Sequence, residues 1–325
     1  MFDFNVEKTN TSEFDGQEKW DALVVGGGPA GLNAALYAKR KGLKVGIITD
    51  EIGGQLHNTT DIDNYLGFSL VKGPDLSQSF LDHVNKLDVP ILKGVKVKSV
   101  SQNAPDFTLT LTDGKLLTTK TLIVATGGAP KKLDIPGENA LSNKGVTYCA
   151  TCDAPFFKDK HVIVAGGGNS AAEGVLDLVP YARKITVVHR SQWRADKVLL
   201  DKLNAIENLE VHLESQLLKV LGDDHVTGVE YLEKESGEIK QLDAEGLLIE
   251  IGNVPKNEFI KDLVKTNDAG EIIVDESQMT SIKGLYAAGD LTAQPHKQII
   301  ISVAEGAKAA LAASQYLNSN YKENK

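Results

Sequence analysis

Tyr148-Cys149-Ala150-Thr151-Cys152-Asp153 holds the only two cysteines of the 325-residue chain. A Cys-x-x-Cys in an otherwise cysteine-free sequence suits a redox pair, whose thiolate can be stabilised and whose disulfide can open and close. Half of a zinc site is the rival reading. It needs further ligands, usually a second Cys-x-x-Cys or a histidine pair, and His161 and His189 are not spaced as one. Inert burial is the third, since free cysteine is often core.

A redox pair needs elements that bring electrons to it. Residues 21–25, Asp-Ala-Leu-Val-Val, form a short apolar run expected to be a buried strand. Gly26-Gly27-Gly28-Pro29-Ala30-Gly31 follows, then a helical pattern over 32–41 and a second strand over 44–49. This is G-x-G-x-x-G between strand and helix, a dinucleotide fingerprint. Gly26 permits the tight turn, Gly28 lets backbone approach a pyrophosphate, and Gly31 lets helix pack on strand. The helix N-terminus offers amides and partial positive charge to the phosphates. Asp50 or Glu51 falls where a ribose-binding acid is expected, though either suits an ordinary surface.

Residues 52–68 are polar and glycine-bearing, with neither helical nor strand period, and are expected to be a loop that is either functional or disordered. A helix is expected over 74–87. Strand-like pieces at 91–100, 107–112 and 115–117, turning at Asp113-Gly114, suggest a small antiparallel insertion. The strand over 121–128 ends in Ala125-Thr126-Gly127-Gly128, small enough for a ligand to approach the backbone. After Pro130 the pattern restarts. A strand over 161–165 leads into Gly166-Gly167-Gly168-Asn169-Ser170-Ala171 and a helix to 178, a second fingerprint of G-x-G-x-x-A form. The next strand, 185–188, ends in His189-Arg190-Ser191-Gln192-Trp193-Arg194. Arginines there would pair with a 2′-phosphate and favour NADP over NAD; a solvated basic turn is the alternative. Paired strands follow, one pair over 226–233 and 239–242. Gly252-Asn253-Val254-Pro255 marks a crossing between domains. Near the end a strand closes on Gly289-Asp290, and 298–317 is a long apolar helix.

Composition bounds the function. Two domains are expected from the length. Hydrophobic residues are 42% and the net charge is −9, which speaks for a globular protein and against nucleic acid as partner. No apolar run approaches the roughly eighteen residues of a membrane helix. Residues 1–19 are read as an irregular polar arm without signal-peptide features, and with two cysteines the cytoplasm is the expected compartment.

Two nucleotide-binding halves and one cysteine pair set a chemical problem. Nicotinamide gives two electrons as hydride, and a disulfide accepts two electrons as thiolates. A flavin couples the two, so the residues point to a flavin- and nicotinamide-dependent disulfide reductase.

The chain closely resembles the low-molecular-weight thioredoxin reductase family from about Trp20 to Leu317. The carriers are the first fingerprint, Gly53-Gly54-Gln55-Leu56, Ala125-Thr126-Gly127, Cys149 to Asp153, Gly166 to Ser170, Ala287-Ala288-Gly289-Asp290 and Lys297-Gln298-Ile299. The resemblance implies an α/β fold of two Rossmann-like three-layer nucleotide-binding domains, the second inserted into the first. Residues 1–20 would be an extension, 21–127 and 253–325 the FAD-binding domain, and 128–252 the pyridine-nucleotide domain carrying the cysteines. It implies that Gly54, Gln55, Asn64, Asp290 and Gln298 contact FAD, with Asp290 at the ribitol and Gln298 near the isoalloxazine ring. The last helix would aim its N-terminus at the flavin. Cys152 would sit beside the flavin, Cys149 would attack the partner's disulfide, and Asp153 would exchange protons with the thiols, a role compatible with capping a helix. It further implies alternation by domain rotation, a homodimer, and thioredoxin or a thioredoxin-like protein as partner.

Two departures bear on donor and partner. The family's usual stretch reads His-Arg-Arg, three residues, then Arg-Ala; this chain lacks the second arginine and is one residue shorter at His189 to Ala195. NADPH bound by Gly166, Gly168, Asn169, Ser170, Ala171, His189, Arg190 and Arg194 remains the expectation. NADH and a donor other than a pyridine nucleotide are the rivals. Asp61-Ile62-Asp63-Asn64-Tyr65 and Lys297 to Ile301 are also similar to the flavoprotein component of alkyl hydroperoxide reductase, which carries a large N-terminal disulfide-exchange domain. With about 20 residues before the first strand here, such a partner is expected to be a separate protein, glutaredoxin-like or peroxidase-linked. A flavin NAD(P)H oxidase or a redox-sensing module is the alternative of another class.

Overall fold

The computed structural model describes Phe14, residues 19–59 and residues 61–321. Two compact units result: Met1–Ala129 with Val254–Lys325, and Pro130–Asn253. The arm expected over 1–19 lies outside the described residues except for Phe14 and Lys19. Phe14 is core, 1% exposed and stacked on Trp20 with ring centroids 4.9 Å apart.

The first unit is built on a seven-stranded sheet. Its parallel part runs Ile91–Lys93, Val45–Ile52, Trp20–Gly27, Leu116–Val124. Strands this buried read as continuous apolar runs, as Leu23-Val24-Val25 and Ile47-Ile48 do. Leu116–Val124 shares one edge between two neighbours. Its first half pairs antiparallel with Asp106–Leu111, and its second half pairs parallel with Leu285–Ala287. The antiparallel pieces expected as an insertion are therefore an extension of the main sheet, and the pieces at 115–117 and 121–128 begin as one nine-residue strand. The run expected over 91–100 is divided into Ile91–Lys93, paired parallel, and Val97–Asn103, paired antiparallel.

Helix Pro29–Arg40 opens with proline, which suits its first turn, and closes with Lys39 and Arg40, which favour the negative end of the helix dipole. Helix Ile299–Asn320 crosses it so closely that a Cβ added at Gly306 would stand 2.0 Å from the Ala30 carbonyl oxygen. The loop expected over 52–68 contains a 3-10 helix, Gly54–Asn58, and a short strand, Asp61–Ile62, paired with Val71–Lys72. Tertiary support replaces periodicity here: Leu56 and Ile62 pack with Leu76, Phe80 and Ile299.

The second unit has a five-stranded parallel sheet in the order Val146–Thr147, Gly246–Ile249, His161–Ala165, Lys184–Val188, Leu209–His212. Helices Asn169–Leu178 and Lys197–Leu203 contribute to one apolar cluster with the short Ala150–Asp153 turn. A three-stranded antiparallel sheet, Ser215–Leu221, Gly228–Glu233 and Glu238–Asp243, contributes to another with Ile163 and Leu247. The chain passes between units through Gly128–Pro130 and Asn253–Pro255, which pair as a two-stranded sheet. Among the described residues no helix is long and apolar enough to cross a membrane.

Candidate functional site

Cys149 and Cys152 are joined as a disulfide, with their Cα atoms 5.3 Å apart. Edge strand Val146–Thr147 delivers them, and the chain then turns into the four-residue helix Ala150–Asp153. Cys149 is its N-cap in extended conformation, and its Sγ accepts the Cys152 N–H at 3.2 Å. A first-turn amide has no partner within its helix, so sulfur takes the place a serine oxygen usually fills. Both cysteines are half-buried. Upstream, Tyr148 is held by its hydroxyl, which donates to Glu138 Oε1 at 2.8 Å. Glu138 is fully buried and also accepts the Leu133 and Ile135 N–H groups. Burial first and the Glu138 acceptor next push the Tyr148 phenol well up, so it remains a donor.

Asp153 precedes the 3-10 helix Ala154–Phe157 but makes no side-chain cap there. Its carboxylate instead accepts the Thr147 hydroxyl, so the acid is tied to the strand that carries the cysteines. Thr151 donates to Asp177 at 3.0 Å on helix Asn169–Leu178. Glu250 follows strand Gly246–Ile249 and reaches the Ala150 N–H; burial above all, then the charges of Asp177 and Glu173, raise its carboxyl to about 7.

The second fingerprint joins strand His161–Ala165 to helix Asn169–Leu178, with Gly168 as N-cap and open space where its side chain would be. The strand end at 189–194 is drawn onto this turn. Arg194 N–H donates to the Gly167 carbonyl at 2.7 Å, and the His189 ring fills the space beside Gly167. His189 is 5% exposed. Burial first, then the Arg194 and Arg190 charges, lowers its imidazole, which favours the neutral ring. Arg190, Arg194, Asn169 and Ser170 are exposed. The Asn169 amide is turned to Asp196, exchanging two hydrogen bonds of 2.8 Å.

The first fingerprint lies in the other unit. Gly26, at φ 119°, is backed by the chain: a Cβ there would stand 2.2 Å from the Ala125 oxygen. One at Gly31 would stand 2.0 Å from the Gly26 oxygen, whereas Gly28 faces open space. Distant segments converge nearby. Gln55 Nε2 donates to Asp290 Oδ2 at 2.8 Å, Ser302 Oγ donates to Asp290 Oδ1 at 3.2 Å, and Asn64 Nδ2 donates to Gln298 Oε1 at 3.3 Å. Gln298 is the N-cap of helix Ile299–Asn320, whose Glu305 accepts the Gly289 N–H at 2.7 Å. Burial raises the carboxyls of both Asp290 and Glu305. Lys297 is paired to Glu271 at 3.0 Å, Thr126 Oγ1 donates to the Lys256 carbonyl at 2.5 Å, and Leu56 is buried.

Residues separated by more than 230 positions thus meet at Gln55–Asp290 and Asn64–Gln298. Asp50 and Glu51 follow the buried part of strand Val45–Ile52 and are exposed, Asp50 paired with Lys96 at 3.0 Å. Sequence reasoning missed Glu138, Thr147, Glu250, Ser302 and Glu305. Glu250 and Glu305 carried a signal, an acid inside an apolar strand run and inside an apolar helix. Thr147 and Ser302 carried none.

The sequence profile of the Pyridine nucleotide-disulphide oxidoreductase family matches residues 20–313. An alkyl hydroperoxide reductase component of Staphylococcus aureus is 40% identical over 312 residues, covering 96% of this chain and 62% of that protein. The chain therefore spans about three-fifths of this relative's length. Thioredoxin reductase from Streptococcus pyogenes superposes with a TM-score of 0.88 at 36% identity, covering 94% of this chain and 100% of that one. Thioredoxin reductase from Giardia duodenalis also reaches 0.88, at 30% identity over 93% of this chain and 100% of that one.

Proposed function

The chain belongs to the pyridine nucleotide-disulphide oxidoreductase family, and on that premise we propose that it is an FAD-dependent disulfide reductase of the thioredoxin reductase type. The carrying observation is the Cys149–Cys152 disulfide in a unit with its own dinucleotide fingerprint, in a chain whose other unit carries another. The residues of the first unit fit FAD. Gly28 and Gly127 leave space where a side chain would block a pyrophosphate, and Gln55, Asn64, Asp290 and Gln298 present polar groups together. When bound, FAD would supply two-electron exchange between a nicotinamide and a disulfide. Asp290 would accept from the ribitol, and the Gln298 end of helix Ile299–Asn320 would favour negative charge on the ring.

The cysteine pair carries the second half of the chemistry. Two electrons and two protons open the disulfide to two thiols. Ionised Cys149 attacks a partner's disulfide; the mixed disulfide forms and the partner's first thiolate leaves. Cys152 then attacks the Cys149 sulfur, the partner's second thiolate leaves and the internal disulfide returns. Asp153 exchanges the protons, held in place by Thr147.

NADPH is the proposed donor, placed on Gly166 to Ala171 with the exposed Arg190 and Arg194 able to meet a 2′-phosphate; NADH is the second reading, because Ser191 stands where the family has an arginine. Thioredoxin is the proposed partner, supported by the two superposed reductases. The 40% identity to an alkyl hydroperoxide reductase component supports a peroxidase-linked carrier as the second reading. A homodimer in the cytoplasm completes the proposal.

Anaerobic titration of the flavin with NADPH and NADH, followed by addition of candidate thioredoxins, tests the whole. NADPH should reduce the flavin at least tenfold faster, and thioredoxin should reoxidise it. A tenfold preference for NADH would overturn the donor, and no transfer to thioredoxin from the same source would overturn the partner. Cys149→Ser and Cys152→Ser should lose protein disulfide reduction by roughly a thousandfold or more, on the order seen when a nucleophile is removed; unchanged turnover would mark an oxidase.

A further inference from the structure

We propose that Glu250 is a positioning residue for the Cys149–Cys152 pair: its carboxyl group and the Cys149 thiolate lie against neighbouring amides of the one Ala150–Asp153 turn, so protonation of one favours ionisation of the other. This rests on the reading that the pair cycles between disulfide and dithiol.

Three elements bring the groups together. Glu250 is fixed at the end of its strand by its own N–H, which donates to Ala165 O at 2.8 Å. Its side chain reaches the Ala150 N–H, one residue from Cys149. Cys149 Sγ accepts the Cys152 N–H of the same turn. Helix Asn169–Leu178 closes the space at Gly174, where an added Cβ would stand 3.5 Å from both the Ala150 Cβ and the Glu250 Cγ.

The charges around Glu250 have one sign. Asp177 and Glu173 from the helix both act on it as carboxylates, and the Ala150 amide is what stabilises its ionised form. Asp153, the acid of the short turn itself, is engaged by Thr147. A thiolate forming at Cys149 adds another negative charge to this group. Glu250 then takes up a proton. Reduction of the disulfide by two electrons and two protons thus leaves one proton on Cys152 and one shared between Cys149 and Glu250, which carry a single negative charge between them. Cys149 therefore ionises more readily while Glu250 holds its proton and less readily once Glu250 is ionised.

The test reads the thiol directly. Flavin-loaded protein is reduced anaerobically with excess dithiothreitol and desalted. Alkylation of Cys149 by iodoacetamide is then followed by peptide mass spectrometry from about pH 5 to 9.5, a range that spans both titrations. The wild type should show a broadened profile with two inflections. Glu250→Gln keeps an acceptor for the Ala150 amide but cannot titrate. It should show one inflection, displaced to lower pH, and alkylate about threefold or more faster at pH 7, as removal of a neighbouring negative charge requires. Superimposable profiles, with the flavin spectrum retained, would overturn the proposal. Should this variant not fold, Glu173→Gln at an exposed position reads the same coupling: the lower inflection moves down, or the proposal fails. Because dithiothreitol supplies the electrons, failure of NADPH or NADH to reduce the pair would count against the assigned activity and leave this result standing.

Discussion

The two glycine-rich turns share a backbone and differ in what lies beneath it. Gly28 and Gly168 cap their helices with nearly the same angles, φ −80° and ψ −176° against φ −99° and ψ −173°. Both leave open space for a ligand. The first glycine of each is wedged against a carbonyl oxygen, Ala125 at 2.2 Å and Glu250 at 2.3 Å from an added Cβ. Around the first turn the neighbours do not titrate: Ala125, the Glu51 carbonyl, the Thr49 hydroxyl and the Ile52 side chain. Around the second they titrate, since Gly167 rests on the His189 ring and Gly166 on the residue whose carboxyl group reaches the redox turn. On the proposed function, one peptide geometry would serve a resident cofactor where its surroundings are inert, and an exchanging nucleotide where they respond to charge.

The strongest way to break this comparison is to add a methyl group to each first glycine. Gly26→Ala and Gly166→Ala both place a Cβ within van der Waals radii of a carbonyl at a positive φ, at φ 119° and φ 150°, so each should lose about 3 kcal/mol or more of local stability. The losses should be separate. Gly26→Ala should yield colourless protein on purification. Gly166→Ala should stay yellow, while its flavin reduction by nucleotide falls more than about a hundredfold, as that loss of stability at the nucleotide turn implies. Loss of flavin from both would erase the division of labour.

A smaller effect tests the titrating surroundings. The Glu250 carboxyl is raised from 4.5 to about 7, which corresponds to roughly 3 kcal/mol at full effect. Below pH 4.5 the group is neutral in folded and unfolded chains alike. As pH rises towards 7 the unfolded chain ionises first, so stability is lost. Glu250→Gln does not titrate and should gain on the wild type by up to about 3 kcal/mol between roughly pH 4.5 and 8.5. Urea unfolding followed by Trp193 fluorescence, with Trp20→Phe in both proteins, measures it. A constant difference across that range would place the second turn among inert surroundings like the first.

The smallest effect concerns side chains on the second turn. Ser191, within 3.1 Å of His189 Nε2, precedes the exposed Arg194 by three residues. Ser191→Arg should raise the preference for NADPH over NADH about tenfold, as one charge-assisted contact to a phosphate would. Rates of flavin reduction with each nucleotide give the ratio, and an unchanged ratio would show that position 191 does not face the ribose.

Much of this architecture was legible because its signals are local. Both fingerprints declare themselves by a strand period, three glycines and a helix period within about thirty residues. What escaped was settled by pairing at a distance. The 3-10 helix Gly54–Asn58 has no period of its own and is held by Leu76, Phe80 and Ile299. Strand Leu116–Val124 looked like two pieces because different neighbours bind its two halves. Phe14 looked like part of a polar arm, yet it stacks on Trp20. At the site, the cysteines were visible by rarity, whereas Thr147 and Ser302 are ordinary hydroxyls until the fold sets them beside Asp153 and Asp290.

The interleaving of the two units also orders their birth. Residues 130–253 contain every strand of their parallel sheet and can close their core as soon as they leave the ribosome. The other unit waits. Its Leu285–Ala287 strand and its Ile299–Asn320 helix, the one pressed against Ala30, arrive last. At about 5–20 residues per second, the first fingerprint stands without that helix for on the order of ten seconds to a minute. The Pro130–Asn253 unit is whole before the other can be, because strand Leu285–Ala287 and helix Ile299–Asn320 follow it in the chain.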